Sequence, residues 1–252
     1  MKAGPGRLYF RCFLRSYLVG AAYNPQGLQN TGFFYALDPA LRALYKDGAA
    51  LREARLRHAR YYNCHPFFTP MFLGVMLRME RTIAAGQLDP AILMSLKDTT
   101  ANTLSAIGDS FFNGSLLGAW ALGSACLVLA GHPLWAAALA VFLLVSLQAW
   151  KLITFIMGVR KGMAVLALLK RLDLATWSVR VKYANAALLS GFLWLALPDA
   201  PPGGWALTTA GLLGASWMVG RLHVSRVFVA LVFFALLGVL HWSAGTCGLG
   251  FF

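Results

Sequence analysis

SFFNGSLLGAWALGSACLVLAGHPLWAAALAVFLLVSLQAW, residues 110–150, contains no Asp, Glu, Lys or Arg. A bilayer crossing needs about 20 consecutive apolar residues, because in hydrocarbon the backbone can satisfy its polar groups only within a helix or a closed barrel. Gly131, His132 and Pro133 interrupt this stretch near its middle. The stretch therefore predicts two membrane-crossing helices joined by a tight turn.

Two further uncharged regions follow towards the C-terminus. Residues 183–220 carry a single charge, Asp199, which lies in the turn-forming sequence DAPPGG, and residues 227–252 carry none. These regions are apolar on all faces without period-two alternation, which favours helices over a barrel. Only 12% of the chain is charged, against about 25% in an ordinary soluble domain. The predicted fold is an all-α polytopic membrane protein with about five hydrophobic helices.

The basic residues predict the orientation of these helices. All 22 Lys and Arg residues lie in three regions: residues 1–97, residues 151–182 and residues 221–226. Because positively charged loops stay in the cytoplasm, five crossings place every basic residue on the inner side. We therefore expect a multi-pass protein of the cytoplasmic (inner) membrane in contact with its lipid. This topology explains the net charge of +13, and no pattern for nucleic-acid binding accompanies it.

The chain divides into residues 1–109 and residues 110–252, and the second region includes a basic cytoplasmic connector at 151–182. The apolar stretches of the first region are too short to cross a bilayer and are interrupted by Pro39, Pro66 and Pro70. Such segments are typical of re-entrant or interfacial helices.

Asp109 precedes the first long uncharged stretch, and two interpretations are open. An ionised side chain next to a membrane span indicates a substrate or gating contact. An Asp before a hydrophobic helix is equally typical of an N-cap. Asp38, which Pro39 follows, is interpreted as a helix start.

An amide-rich patch of Asn24, Gln26, Gln29 and Asn30 lies beside Tyr23. Amides next to an aromatic ring can bind a sugar, but helix capping and interhelical hydrogen bonds are the alternative that we favour slightly. His58 and His65 have no further ligands at metal-site spacing, so we predict no metal and no cofactor. Nucleotide-binding and hydrolase motifs are missing, and no catalytic residue is predicted.

Several segments together resemble the IID component of the mannose/fructose/sorbose family of phosphoenolpyruvate-dependent sugar phosphotransferase systems. They are FLRS (13–16), LQNTGFFYALDPALRALY (28–45), RHARYYNCHP (57–66), LGVML (73–77) with Met79 and Glu80, residues 107–110 with Gly114, GVRKG (158–162), and the C-terminal Gly245, Cys247 and Gly248.

This resemblance implies a hetero-oligomer in which the IID chain pairs with a IIC membrane subunit. A sugar crosses the membrane and is phosphorylated by a separate IIB subunit, which IIA charges, so the chain need not be catalytic alone. The residues expected along the sugar path are Asn24, Gln29, Asn30, Lys97, Asn102 and Asp109. The residues expected to dock the IIB partner are Arg57, Arg60, Arg160 and Lys161.

One segment departs from the family pattern. Residues 97–109 read KDTTANTLSAIGD, where the family resembles K-x-G-L-M-G-P-L-A-G-x-G-D. Thr99, Asn102, Thr103 and Ala106 replace Gly, Gly, Pro and Gly, which removes backbone freedom. An alternative hypothesis is therefore a transport-incompetent paralogue with an assembly or regulatory role. A remote alternative is an intramembrane aspartyl protease, in which Asp38 would have to pair with Asp109.

Overall fold

The computed structural model describes residues 5–196 and, beyond them, Ala210, Gly211, Gly214 and Ser225. Residues 5–196 form nine α-helices and contain no β-strand. The helices are α1 (Pro5–Ser16), α2 (Asn30–Leu44), α3 (Gly48–His58), α4 (Thr69–Ala84), α5 (Pro90–Gly108), α6 (Leu117–Leu129), α7 (Pro133–Lys161), α8 (Val165–Leu172) and α9 (Leu174–Ala196). A π-helical segment, Asp109–Leu116, joins α5 to α6.

Helix α4 forms the centre of the N-terminal helices. Pro70 lies in its first turn, where a missing N–H costs nothing, and every residue from Thr69 to Leu77 is buried. Phe72 of α4 packs beside the stacked rings of Phe33 and Tyr62, whose centroids are 3.8 Å apart. The apolar stretches that are too short to cross a bilayer thus form a helical core.

Two glycines allow α4 and α7 to touch backbone to backbone. A Cβ atom added at Gly74 would lie 2.5 Å from the carbonyl oxygen of Phe155, and one added at Gly158 would lie 2.4 Å from that of Met71. Small residues at such crossings are typical of helices that associate closely. Both glycines belong to segments that carry the family resemblance.

The predicted pair of long helices and their turn are confirmed. Helix α6 ends at Leu129 and α7 begins at Pro133, and Gly131 adopts a left-handed conformation with φ of 82° between them. Within the described residues, Pro90–Leu129 and Pro133–Ala196 are long and apolar enough to cross a membrane. The first of these starts much earlier than residue 110, because Asp89 caps α5 by accepting a hydrogen bond from the N–H of Ala91 at 2.8 Å.

One local prediction is wrong. Asp38 and Pro39 lie inside α2 and do not begin a helix. Residues 151–182 are helical for most of their length: they hold the end of α7, all of α8 and the start of α9. Asp173, with φ of 43°, separates α8 from α9, and its carboxylate accepts a hydrogen bond from the N–H of Thr176 at 3.4 Å.

Several predictions fall outside the described residues. They concern the turn at 199–204, the basic link at 221–226 apart from Ser225, the uncharged region 227–252, and Gly245, Cys247 and Gly248. The count of about five hydrophobic helices therefore stays a prediction. The division at residues 109 and 110 falls within the continuous helical run from Pro90 to Leu129.

Candidate functional site

A histidine and an aspartate meet where α5 passes into the π-helical segment. The His65 Nε2 atom lies 4.0 Å from Oδ1 of Asp109, and the His65 ring stacks on Phe112 with centroids 5.2 Å apart. Gly108 makes this approach possible, since a Cβ atom there would lie 2.3 Å from Cβ and Cγ of His65. The pair therefore depends on glycine immediately before the aspartate.

The hydrogen bonds of His65 fix the position of its proton. Its Nδ1 accepts a hydrogen bond from the N–H of Phe67 at 3.2 Å, so Nε2 carries the proton of the neutral ring. Burial lowers the pKa of His65 despite the opposing effects of Asn113 and Asp109, which favours this neutral form. Nε2 is buried and has no hydrogen-bond partner among the described residues, and the nearby acceptor is Oδ1 of Asp109 at 4.0 Å.

Asp109 is not an N-cap, because α5 and the π-helical segment continue through it with helical backbone angles. Its side chain is 62% exposed and accepts a hydrogen bond from Asn113 Nδ2 at 3.2 Å. π-helical turns inside α-helices occur frequently at functional sites. Asp109, Asn113 and His65 thus form a small cluster of donors and acceptors, which we call the Asp109 cluster.

The predicted amide patch forms hydrogen bonds within the chain. Asn24 Nδ2 donates to Asn30 Oδ1 at 2.8 Å, and Asn30 Nδ2 donates to the carbonyl of Ala59 at 2.7 Å. Gln29 Oε1 accepts from the N–H of Cys64 at 3.2 Å. These bonds tie the loop before α2 to the chain after α3.

Lys97 lies in the interior. Its side chain is fully buried, and Nζ donates to the carbonyl oxygens of His58 at 3.4 Å and Arg60 at 3.2 Å. A cation is favoured there because the carbonyl groups at a helix C-terminus carry partial negative charge. Lys97 therefore connects α5 to the end of α3 and does not reach the Asp109 cluster through any hydrogen bond or ion pair among the described residues.

The four positions that depart from the family pattern share one face of α5. Thr99, Asn102, Thr103 and Ala106 are all exposed, and their spacing of three and four places them on one side of the helix. The hydroxyl groups of Thr99 and Thr103 donate to the carbonyls of Ser95 and Thr99. Residues 97–106 are regular helix, consistent with their lack of glycine and proline.

Only part of the predicted docking set is exposed. Arg60, Arg160 and Lys161 lie at the surface, whereas the Arg57 side chain is 10% exposed. Contrary to the sequence prediction, Arg57 faces inward, where its guanidinium pairs with Glu80 at 3.0 Å. The reason is that Glu80 of α4 is fully buried, and a buried carboxylate requires a cation beside it.

Glu80 organises a buried polar network that sequence reasoning missed. Its fully buried carboxylate accepts hydrogen bonds from Arg57, from Tyr45 and, at 2.8 Å, from Nε2 of His58. Burial alone would raise the pKa of Glu80, but the hydrogen bonds from His58 and Arg57 outweigh it and lower this pKa to about 2. A single acid within the otherwise apolar and basic stretch 71–81 was the signal available in the sequence.

The aspartyl-protease alternative lacks its geometry. Asp38 pairs with Arg42 at 2.7 Å and Arg55 at 2.8 Å, whereas Asp109 contacts Asn113 and His65. The two carboxylates share no partner, and a proton-sharing dyad requires both in one site. Among the residues that the structure describes, no three His, Cys, Asp or Glu side chains come together as metal ligands.

The comparison with protein families decides the class of this chain. The family described as "PTS system mannose/fructose/sorbose family IID component" matches residues 7–181. The chain belongs to this family. As a IID-family protein it is a membrane protein, and the matched segment includes α2 to α8 with the Asp109 cluster and the Glu80 network.

Named relatives agree with this assignment. The fructose permease IID component of Bacillus subtilis is 31% identical over 193 residues, which make up 75% of this chain and 67% of the relative. The mannose-specific EIID component of Escherichia coli is 32% identical over 124 residues, which make up 48% of this chain and 44% of the relative. The IID-family chain thus spans about two thirds of the first relative and less than half of the second.

Solved structures show the same fold. A chain described only as a membrane protein superposes with a TM-score of 0.75 and 20% identity, covering 98% of each chain. The cryo-electron microscopy structure of the mannose transporter ManYZ with microcin E492 gives a TM-score of 0.59 and 21% identity, covering 100% of each chain. At these identities the likeness establishes the IID-family fold and no more.

Proposed function

We propose that this chain is the IID membrane subunit of a mannose-family sugar phosphotransferase transporter. It pairs with a IIC subunit, and together they translocate a sugar that a separate IIB subunit, charged by IIA, phosphorylates in the cytoplasm. The observation that carries this proposal is the family match over residues 7–181. The names of the relatives, which include fructose-, mannose- and sorbose-specific components, support a sugar as the substrate class.

The proposed topology has five crossings of the cytoplasmic membrane. The uncharged run from Ser110 through α6, and α7 after the turn at Gly131, supply the first two. The region 1–109 then forms the cytoplasmic-side and interfacial part, and the region 110–252 forms the membrane part. The distribution of the 22 basic residues supports this arrangement.

In this proposal the Asp109 cluster contacts the sugar path. Asp109 and Asn102 are exposed on the same long helix, where they can meet a sugar or the IIC subunit. The loops that flank the path are held in place by hydrogen bonds of four side chains, those of Asn24, Gln29, Asn30 and Lys97. Sugar hydroxyl groups both donate and accept hydrogen bonds, which matches a carboxylate beside an unpartnered imidazole N–H.

Arg60, Arg160 and Lys161 provide an exposed basic surface for the phosphorylated IIB partner. Complementary charges accelerate such docking and make it sensitive to salt.

Co-expression with a IIC protein tests the proposal directly. We expect the two chains to purify together and to support sugar-dependent phosphorylation in vesicles that contain IIA and IIB. Asp109→Asn should lower uptake at least about tenfold, because a carboxylate next to a span contributes a charge-assisted hydrogen bond. Asp98→Asn, an exposed acid on α5, is the matched control and should leave uptake unchanged.

The absence of both co-purification and sugar-dependent phosphorylation would contradict the proposal. Equal uptake by Asp109→Asn and Asp98→Asn would remove Asp109 from the sugar path while leaving the subunit assignment intact.

A transport-incompetent paralogue is the second candidate, favoured by the exposed face of Thr99, Asn102, Thr103 and Ala106. In the family pattern this face carries three glycines and a proline, which permit close approach of a partner backbone. If the paralogue hypothesis holds, Thr99→Gly, Asn102→Gly and Ala106→Gly together should restore uptake in a strain that lacks its own IID subunit. Substitution of glycine at exposed Ala91, Ser95 and Asp98 is the control for added flexibility alone, and no gain over that control contradicts the hypothesis.

A further inference from the structure

Lys151 marks the inner end of the long uncharged stretch. It follows Pro133, the first residue of α7, by 18 residues, which at 1.5 Å per residue corresponds to about 27 Å of helix. The hydrocarbon core of a bilayer is about 30 Å thick. If the turn at Gly131 lies at one membrane surface, the ammonium group of Lys151 lies at the level of the lipid headgroups on the other.

The ammonium group has no acceptor within the described chain. Lys151 Nζ lies 4.4 Å from the ring centroid of Tyr17 and 4.9 Å from that of Phe67. No hydrogen bond or ion pair involving Nζ occurs among residues 5–196, although the side chain is half-buried. An ammonium group has three N–H donors, so this one requires acceptors from outside the described chain.

A pocket of about 120 Å³ is lined by Lys151 together with Tyr17, Gln29 and Thr69. This volume has room for several water molecules and therefore for a tetrahedral oxyanion. None of the described residues that line the pocket carries a carboxylate. An anion would therefore meet no like charge there.

Gln29 supplies a second donor to the same pocket. Because its Oε1 accepts the N–H of Cys64, the amide NH₂ group is the part that remains without a partner in the described chain. The hydroxyl of Tyr17 donates to Gln148 at 2.7 Å and that of Thr69 donates to the carbonyl of His65 at 3.2 Å. The unused donors are thus an ammonium and an amide, a combination suited to an oxyanion.

We propose that the Lys151 pocket binds a phosphate group. The depth of Lys151 favours the headgroup of an inner-leaflet phospholipid, and a soluble phosphate compound would present the same chemistry. This site is separate from the Asp109 cluster, and the depth assigned to Lys151 rests on the membrane topology proposed above, whereas the pocket and its two donors do not.

Native mass spectrometry of the full-length, delipidated chain tests this proposal. Phosphatidylglycerol, diacylglycerol and glycerol 3-phosphate are titrated in turn, so that the lipid and the soluble sources of phosphate are measured separately. Lys151→Met removes the ammonium and retains an unbranched stem between the two rings. We expect its Kd for phosphatidylglycerol, or for glycerol 3-phosphate if the ligand is soluble, to rise about tenfold.

Two further variants distinguish binding at the Lys151 pocket from general attraction of the anion to a basic protein. Lys182→Met removes an exposed cation from α9 and should bind as the wild type does, while Lys151→Arg should retain binding because it keeps a charged donor. Should Lys151→Met fail to fold, Lys151→Gln replaces it. Equal affinities of Lys151→Met and Lys182→Met, or diacylglycerol binding as tight as phosphatidylglycerol binding, would overturn the proposal.

Discussion

Glu80→Gln is expected to lower the free energy of unfolding by about 3–5 kcal/mol, because it leaves the Arg57 guanidinium buried without its counter-ion. The side chains concerned are almost inaccessible: Glu80 and His58 are 0% exposed and Arg57 is 10% exposed. Glutamine keeps the size of the side chain and one acceptor oxygen, so the loss reports the missing charge and not a cavity. Unfolding is followed through the reactivity of Cys12 and Cys64 in a background in which Cys126 and Cys247 are replaced by alanine.

These two thiols are suitable probes because both are buried and unreactive in the folded chain. Burial raises the pKa of Cys12 to about 11 and that of Cys64 to about 12. Since the thiolate is the reactive form, a thiol reagent modifies them only after the helices open.

Asp38→Asn is the matched control for Glu80→Gln. Asp38 is also paired with arginines, but its partners Arg42 and Arg55 are 65% and 34% exposed. Water screens such pairs, so the expected loss is about 1 kcal/mol or less. Equal losses from Glu80→Gln and Asp38→Asn would show that burial of the Glu80 network does not determine its strength.

The same network predicts a pH dependence. The folded-state pKa of Glu80 is about 2, below the unfolded value near 4.5, so its stabilisation is fully present above pH 4.5 and is lost as the pH falls towards 2. Burial lowers the pKa of His58 although Glu80 opposes this effect, so the neutral form of His58 stabilises the fold above pH 6.5, and this contribution decreases as the pH falls below 6.5. In the Glu80→Gln variant, the free energy of unfolding should no longer decrease between pH 4.5 and pH 2, whereas the decrease below pH 6.5 should remain.

The uncharged stretch at 110–150 predicted two helices and their turn correctly because hydrophobic length and turn residues are local properties. The sequence indicates a later start for the first helix than the structure has. Asp109 matches an N-cap as a residue type, but the helix begins at Pro90, where Asp89 is the N-cap. Once α5 has begun, the lack of glycine and proline between residues 97 and 106 allows it to continue through Asp109.

The partners of buried charges could not be predicted from the sequence. Lys97 and Arg57 look like surface cations, and only the tertiary packing brings them to the carbonyl of Arg60 and to Glu80. The proximity of His65 to Asp109 could not be predicted either, because it depends on Gly108, which brings α5 against the residues before α4. Long-range contacts of this kind have no local sequence signal.

Two segments that carry the family resemblance, 73–77 and 158–162, meet where α4 crosses α7. Each contains a glycine whose added Cβ atom would collide with the backbone of the other helix. For Gly158 the nearest atoms are the Met71 oxygen at 2.4 Å and the Val75 nitrogen at 3.0 Å, and neither belongs to a side chain that could rotate away. The resemblance at these segments therefore reflects a packing requirement.

Gly158→Ala is accordingly expected to destabilise the chain by about 3 kcal/mol, because one methyl group forces two rigid helices apart. Gly191→Ala is the matched control: Gly191 lies in α9, and an added Cβ atom meets nothing within 4 Å. The alanine there should leave stability unchanged or raise it by up to about 1 kcal/mol, since alanine favours the helix.

The reciprocal contact gives this prediction a second test. Gly74→Ala should cost about as much as Gly158→Ala, and the double variant should cost clearly less than the sum, because helices already separated by one methyl group accommodate the second. Denaturant titration with the Cys12 and Cys64 probes measures all four variants on one scale. Additive losses, or a loss at Gly158 no larger than at Gly191, would contradict a direct backbone contact between α4 and α7.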